Sequence, residues 1–209
     1  MNTFSATECI RFGWSTFKKR GWFLVGMTAL MLVLSWVIAG IAGAFATRDF
    51  GGFIGAVANI ALSTLLSMGF TAVMLKANDM LDSVEVVDLW HPKPFWKFIV
   101  AQILVGLIVF IGLVLLIVPG IIAILVFLFV LYIVIDKELG PIEALKESAR
   151  ITRGSRWELL LLVLIVFVLN LVGALALLVG LLVSIPVTTL AMVHAYRMLE
   201  GKAKPAAAA

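Results

Sequence analysis

Charged residues divide this chain into four long apolar runs. Gly21 to Thr47 is the first, of 27 residues, and Phe50 to Leu75 the second, of 26. Phe98 to Ile135 and Leu159 to Tyr196 follow, each of 38. A helix needs about 20 residues to cross the roughly 30 Å hydrocarbon core of a bilayer. The first two runs therefore predict one span each, about 22–46 and 53–75, joined by the short loop Thr47 to Gly52 with its Gly51-Gly52 pair. A 38-residue run built as one helix would be about 57 Å long at 1.5 Å per residue. Nearly half of it would stand in water as bare Leu, Ile, Val and Phe, so each long run is read as a hairpin. The third run gives spans at about 98–118 and 120–138, with the turn at Pro119-Gly120. Proline presets the second position of a type II turn, and glycine supplies the positive φ of its third. The fourth gives spans at about 157–175 and 178–198, with a turn between Gly173 and Gly180. Pro186 is then a kink in the last helix.

The segments between runs carry their own periodicity. Ser5 and Glu8 have capping-box spacing, and Ala6, Ile10, Trp14 and Phe17 fall on one helical face. After the fourth span, Pro141 occupies the favoured first helical position, and Ile142, Leu145 and Ala149 share a face. Gly154 suits the end of that helix, and Ser155 with Glu158 forms a second capping-box pattern. Both helices are expected to lie along the membrane surface or to dock under the bundle. Each hairpin is also preceded by basic and aromatic residues: Lys18-Lys19-Arg20-Gly21-Trp22, Lys93-Pro94-Phe95-Trp96-Lys97 and Arg153-Gly154-Ser155-Arg156-Trp157. Trp favours the headgroup level. The chain thus has a threefold rhythm, which either internal repetition or the interface rule alone produces. The fold class predicted is all-α integral membrane: six transmembrane helices as three hairpins with amphipathic cytoplasmic helices. They form a single domain over residues 1–200, with a disordered tail at 201–209.

Composition fits this reading and charge orients it. The chain is 63% hydrophobic and 13% charged, against about 25% charged in soluble domains. With six spans, all but one of the 16 Lys and Arg fall on one side, Arg48 being the exception. Basic residues are retained in the cytoplasm, so both ends of the chain are expected there, in the plasma (inner) membrane. The net charge of +4 sits in the loops, where a membrane protein keeps it, and no nucleic-acid partner is expected. Ala44-Phe45-Ala46 has the A-x-A form of a cleavage site. The apolar stretch before it is too long for a signal peptide, and cleavage is not expected. Cys9 is the one cysteine and reads as a buried or juxtamembrane thiol.

Candidate chemistry is sparse. Gly55, Asn59, Ser63, Ser67 and Thr71 recur every four residues and make a small, polar seam on the second span. It serves either helix packing or a pathway lining. Gln102 and Asn170 are expected to bond between helices. No ionisable side chain is expected within the spans, which argues against a proton relay. Asp79, Asp82, Glu85 and Asp88 recur every three residues, spread too widely to converge on a metal, and read as a solvated face. His91 and His194 read as interface residues. Lys146, Arg150 and Arg153 lie within about 60° on the helix after the fourth span, which makes them a candidate site for anionic lipid headgroups. No phosphate loop, paired His-Glu motif or nucleophile elbow is present in the sequence.

One stretch resembles known proteins. Ile117-Val118-Pro119-Gly120-Ile121 leads to Ile135-Asp136, then to Leu139-Gly140-Pro141-Ile142-Glu143-Ala144-Leu145-Lys146-Glu147-Ser148 and Thr152-Arg153-Gly154. This is similar to the bacterial YciC-like membrane proteins and to the membrane domain fused to some glycerophosphoryl diester phosphodiesterases. The specific part covers about 40 residues. The resemblance implies a six-helix membrane protein of largely unassigned function. It implies no catalysis, because the phosphodiesterase domain has no counterpart in this sequence. The expectation is therefore a non-catalytic membrane protein of structural or accessory role, associated with anionic lipid headgroups at the cytoplasmic face. A small transporter or channel is the alternative. No cofactor or metal is expected. The expected partners are membrane lipids, with a second copy of the chain or other membrane proteins as further candidates.

Overall fold

Helix dominates because in lipid the backbone is satisfied only as helix or closed barrel, and these unbroken apolar runs lack the alternation of barrel strands. A computed structural model describes residues 5–45, 49–80, 83–90, 93–176 and 179–203. Among them are helices α1 (Ala6–Lys19), α2 (Gly21–Phe45), α3 (Asp49–Asp79), α4 (Phe95–Leu115), α5 (Ile117–Val126) and α6 (Val130–Lys137). Helices α7 (Pro141–Ile151), α8 (Arg156–Leu175) and α9 (Leu181–Ala203) follow, and a 3₁₀ turn spans Val86–Leu89. Six segments are long and apolar enough to cross a membrane: Gly21–Ala44, Gly52–Asp79, Phe95–Leu115, Ile117–Lys137, Arg156–Leu175 and Leu181–Gly201. The protein is an all-α, multi-pass membrane protein. Thr47 and Arg48 of the first loop, Ala46, Asp82, His91 and residues 204–209 lie outside the described residues. Of the expected tail, 201–203 are the last helical residues of α9.

Burial is uneven along the spans. Met68, Val73 and Met74 near the end of α3, Ile133 to Ile135 in α6, and Leu190 to Leu199 in α9 supply much of the core. The opposite ends, such as Val37 and Ile41 of α2 or Val114 to Val118 at the α4–α5 tip, are apolar and exposed. That surface is what lipid covers.

Four details depart from the sequence reading. The α4–α5 reversal is made at Leu116, which is extended at φ −163° and ψ 147°, and not at Pro119-Gly120. Proline instead enters the first turn of α5, where its missing N–H costs nothing. Gly120 serves close packing: a Cβ on Gly112 would lie 3.0 Å from the Gly120 Cα. The fourth span is also broken, with α5 and α6 separated at Phe127 to Phe129. Neither capping box forms, since Ser5 and Ser155 make no side-chain cap bond. Glu158 reaches instead to the start of α1, where its Oε2 accepts from the Ala6 N–H at 3.4 Å.

The fourth departure concerns the amphipathic faces. α1 buries Ala6, Cys9, Gly13 and Thr16, while Trp14 remains 45% exposed. α7 buries Ala144, Ser148 and Ile151, with Ile142 exposed. In both, the inward face is that of the small residues one position from the bulky ones. Small side chains let backbones approach, and α1 uses this against α9. A Cβ on Gly13 would strike the Val187 carbonyl and come within 3.2 Å of the Ala191 nitrogen. Phe12 stacks on His194 with ring centroids 3.8 Å apart. Both helices therefore dock into the bundle.

Candidate functional site

The break in the fourth span positions α7. Interrupting a helix frees a carbonyl, and in an apolar setting that oxygen must find a donor. The Ser148 hydroxyl, on the buried face of α7, donates to the Val126 carbonyl at 2.7 Å. Thr152 donates to the Ser148 carbonyl at 2.8 Å and lies 3.5 Å from the same Val126 oxygen. At the other end of α7, the Glu143 carboxylate accepts from the Gly140 N–H at 3.2 Å, and Gly154 takes φ 86° just beyond the helix.

With Ser148 and Ala144 inward, the basic stripe faces outward. Lys146 and Arg153 are exposed, as is Arg156 at the start of α8. Arg150 is engaged by Glu147 through two bonds, Nε to Oε2 at 2.8 Å and Nη2 to Oε1 at 2.7 Å. Lys137 also donates to Glu147, at 2.9 Å. These cations, the Arg150 bond foremost, hold the Glu147 carboxyl down at about 2, and the same bond raises the Arg150 guanidinium. Beside Arg156 stands Trp157, 84% exposed. Both residues line an apolar cavity of about 360 Å³ whose other walls are Val118, Ile121, Ile122, Leu125 and Leu160.

An ionic network not foreseen from the sequence joins α3, α6, α7 and α9. Arg197 holds Asp136 through two bonds, at 2.7 and 2.8 Å, and Asp79 through two more, at 2.6 and 3.2 Å. It also reaches Glu200 at 3.2 Å. Tyr196 donates to Asp136 at 2.8 Å, and Lys137 links Glu200, at 3.4 Å, to Glu147. Asp79 is thus an ion-pair partner rather than part of a solvated helical face. Asp88 sits in the 3₁₀ turn, where it binds Lys76 at 2.8 Å and caps the Glu85 N–H at 2.8 Å. The signal for the network was in the sequence: Asp136 and Arg197 end the third and fourth apolar runs on the same predicted side.

The seam residues of α3 differ in exposure. Gly55 is buried, Asn59, Ser67 and Thr71 are half-buried, and Ser63 is exposed. The hydroxyls of Ser63, Ser67 and Thr71 donate to carbonyls of their own helix, at 2.6, 2.9 and 2.8 Å. Asn170 does bond between helices, accepting from Ser184 at 2.9 Å and donating to Thr188 at 3.2 Å. Gln102 faces outward instead.

No family model and no solved structure matches this chain. It is similar to an uncharacterized protein of Mycobacterium tuberculosis and to one of Mycobacterium bovis, each 30% identical over 151 residues. The matched part is 71% of this chain and 46% of each relative. The chain therefore spans a little under half the length of the curated relatives it matches.

Proposed function

We propose that this is a non-catalytic protein of the plasma membrane, with a structural or accessory role, that binds anionic lipid headgroups at its cytoplasmic face. Both ends of the chain lie on that side in this reading. The observation that carries it is the exposure of Lys146, Arg153 and Arg156 along and just after α7, with Arg156 and the exposed Trp157 lining an apolar cavity. Anionic leaflets attract each nearby Lys or Arg by about 1 kcal/mol, and arginine meets a phosphate with two parallel bonds. Trp prefers the headgroup level, and the cavity offers apolar walls to the upper carbons of an acyl chain.

Native mass spectrometry tests the reading. The wild type is expected to keep phosphatidylglycerol in preference to phosphatidylcholine. Changing Lys146, Arg153 and Arg156 together to Gln should remove the preference and make the remaining binding less sensitive to salt. Unchanged retention at low and high salt refutes the headgroup role. Orientation is tested separately: reporters fused after Asp88 and Gly154 should read as cytoplasmic, and one inserted at Gly120 as external.

A further inference from the structure

The chain repeats itself in register. α1 begins at Ala6 and α7 at Pro141, 135 positions on; α2 begins at Gly21 and α8 at Arg156, again 135 positions on. At that offset the inward faces coincide. Cys9, Gly13 and Thr16 of α1 are buried, and so are Ala144, Ser148 and Ile151 of α7. The outward faces coincide too. Glu8, Arg11, Lys18 and Trp22 are exposed, and so are Glu143, Lys146, Arg153 and Trp157.

The two helices also dock at matching points. The second and third hairpins lie 61 positions apart, with α4 beginning at Phe95 and α8 at Arg156. At this second offset Asp136 falls on Arg197, and the two bind each other. Gly112 falls on Gly173, and each packs closely against a glycine of the returning helix, Gly120 or Gly180. The Val126 carbonyl, which Ser148 of α7 meets, falls on the Val187 carbonyl, which a side chain on Gly13 of α1 would strike. α1 thus sits on the third hairpin as α7 sits on the second. The preference of basic and aromatic residues for the interface fixes neither the buried positions nor the docking points.

Arg11 and Lys18 stand seven residues apart, within about 20° of one line along α1 and about 10 Å apart on it. Lys146 and Arg153 have the same spacing on α7. The ion pair of Glu147 with Arg150 has no counterpart, because α1 carries Phe12 and Ser15 at those positions. Lys18 lies over the Trp14 ring, 5.4 Å from its centre, a contact that leaves its charge uncancelled. Trp22 is 93% exposed and sets this end of α1 at the headgroup level.

We infer that α1 and α7 are copies of one element and that α1 presents a second site for anionic phospholipid headgroups, Arg11 and Lys18 serving there as Lys146 and Arg153 serve on α7. The α1 site rests on the reading of α7 as a headgroup face. Arg156 has only Gly21 as its counterpart, so the α1 site has one cation fewer and binds about fivefold more weakly. It fills after the α7 face, at higher lipid.

The full chain in phosphatidylcholine vesicles is given excess phosphatidylglycerol with a photoreactive group at the top of one acyl chain, or phosphatidylcholine labelled alike. The crosslinked peptides are read by mass spectrometry. In the wild type the α1 peptide should take phosphatidylglycerol over phosphatidylcholine by up to about thirtyfold, two cations at about 1 kcal/mol each. Arg11→Gln with Lys18→Gln should bring that ratio to about one and leave the α7 peptide unchanged. Lys19 and Arg20 remain to hold the orientation. Arg11→Lys with Lys18→Arg keeps the charge and should keep the preference; its loss there as well would trace the effect to the fold and overturn the site. Equal labelling of α1 by the two lipids in the wild type, or a preference that survives Arg11→Gln with Lys18→Gln, overturns the α1 site whatever happens at α7. The Lys146/Arg153/Arg156 variant should lose the α7 preference and keep that of α1. Preference at α1 with none at α7 in the wild type refutes the α7 face and leaves the α1 site standing.

Discussion

Gly13 marks where α1 meets α9 backbone to backbone, and the space there is filled by the Val187 carbonyl and Ala191. Gly13→Leu should therefore lower the thermal stability of the detergent-solubilised protein by about 1–3 kcal/mol, the usual cost of overpacking. Gly26, also helical, has nothing within 4 Å of a built Cβ. Gly26→Ala is expected to be neutral or to stabilise by up to about 1 kcal/mol. Glu147 sets a pH dependence. Its carboxyl lies at about 2 in the folded protein against an ordinary 4.5, so the unfolded chain binds the proton more readily. The resulting stabilisation is complete above about pH 4.5 and fades as pH falls toward 2. A melting series between about pH 6 and pH 3 should show this decline, and Glu147→Gln should flatten it. A decline of equal slope in Glu147→Gln would locate the effect in other carboxylates.

At the scale of elements, the Ser148 hydroxyl makes the shorter of two bonds from α7 to a carbonyl that the broken span cannot satisfy itself. Ser148→Ala should cost about 1–3 kcal/mol, the penalty of leaving a buried acceptor unmade. Hydrogen exchange should quicken at the amides of Phe127 to Val130, around the break. Protection there equal to the wild type would mean that another donor has taken over. The existence of α7 and its Pro141 start were legible from periodicity and turn chemistry; its inward face was not. A hydrophobic stripe measures affinity for an apolar setting, but lipid and protein are both apolar here. What separates them is how closely two backbones approach, and so Ala144 and Ser148 turn inward while Ile142 turns out. The same reasoning sets Cys9 and Gly13 inward on α1 and leaves Trp14 exposed. The break at Phe127 to Phe129 left no mark, since no glycine or proline stands there.

For the whole molecule, Arg197 ties the ends of α3, α6 and α9 together. Arg197→Gln leaves Asp79, Asp136 and Glu200 without their shared cation, and is expected to destabilise the fold by about 1–3 kcal/mol, the range for charged hydrogen bonds that solvent partly reaches. Adding Asp136→Asn should recover part of the loss, because one of the three carboxylates that Arg197 served is then neutral. Losses that simply add would show that the two side chains do not act as a unit. The six-span count was legible because it rests on run lengths and the roughly 30 Å core, quantities that do not depend on packing. The network was not, because charges at run ends serve equally as topology signals. Only the assembled bundle brings residue 79 beside residue 197.

The broken fourth span bears on the order in which the chain is built. A ribosome delivers Val126 before Ser148, so the span leaves the exit tunnel without the hydroxyl that its native shape requires. Until α7 arrives, the ten residues of α5 and the eight of α6 have no reason to part. The bend is imposed by later chain on earlier chain, and a nascent protein halted before Pro141 should hold this stretch as one continuous rod.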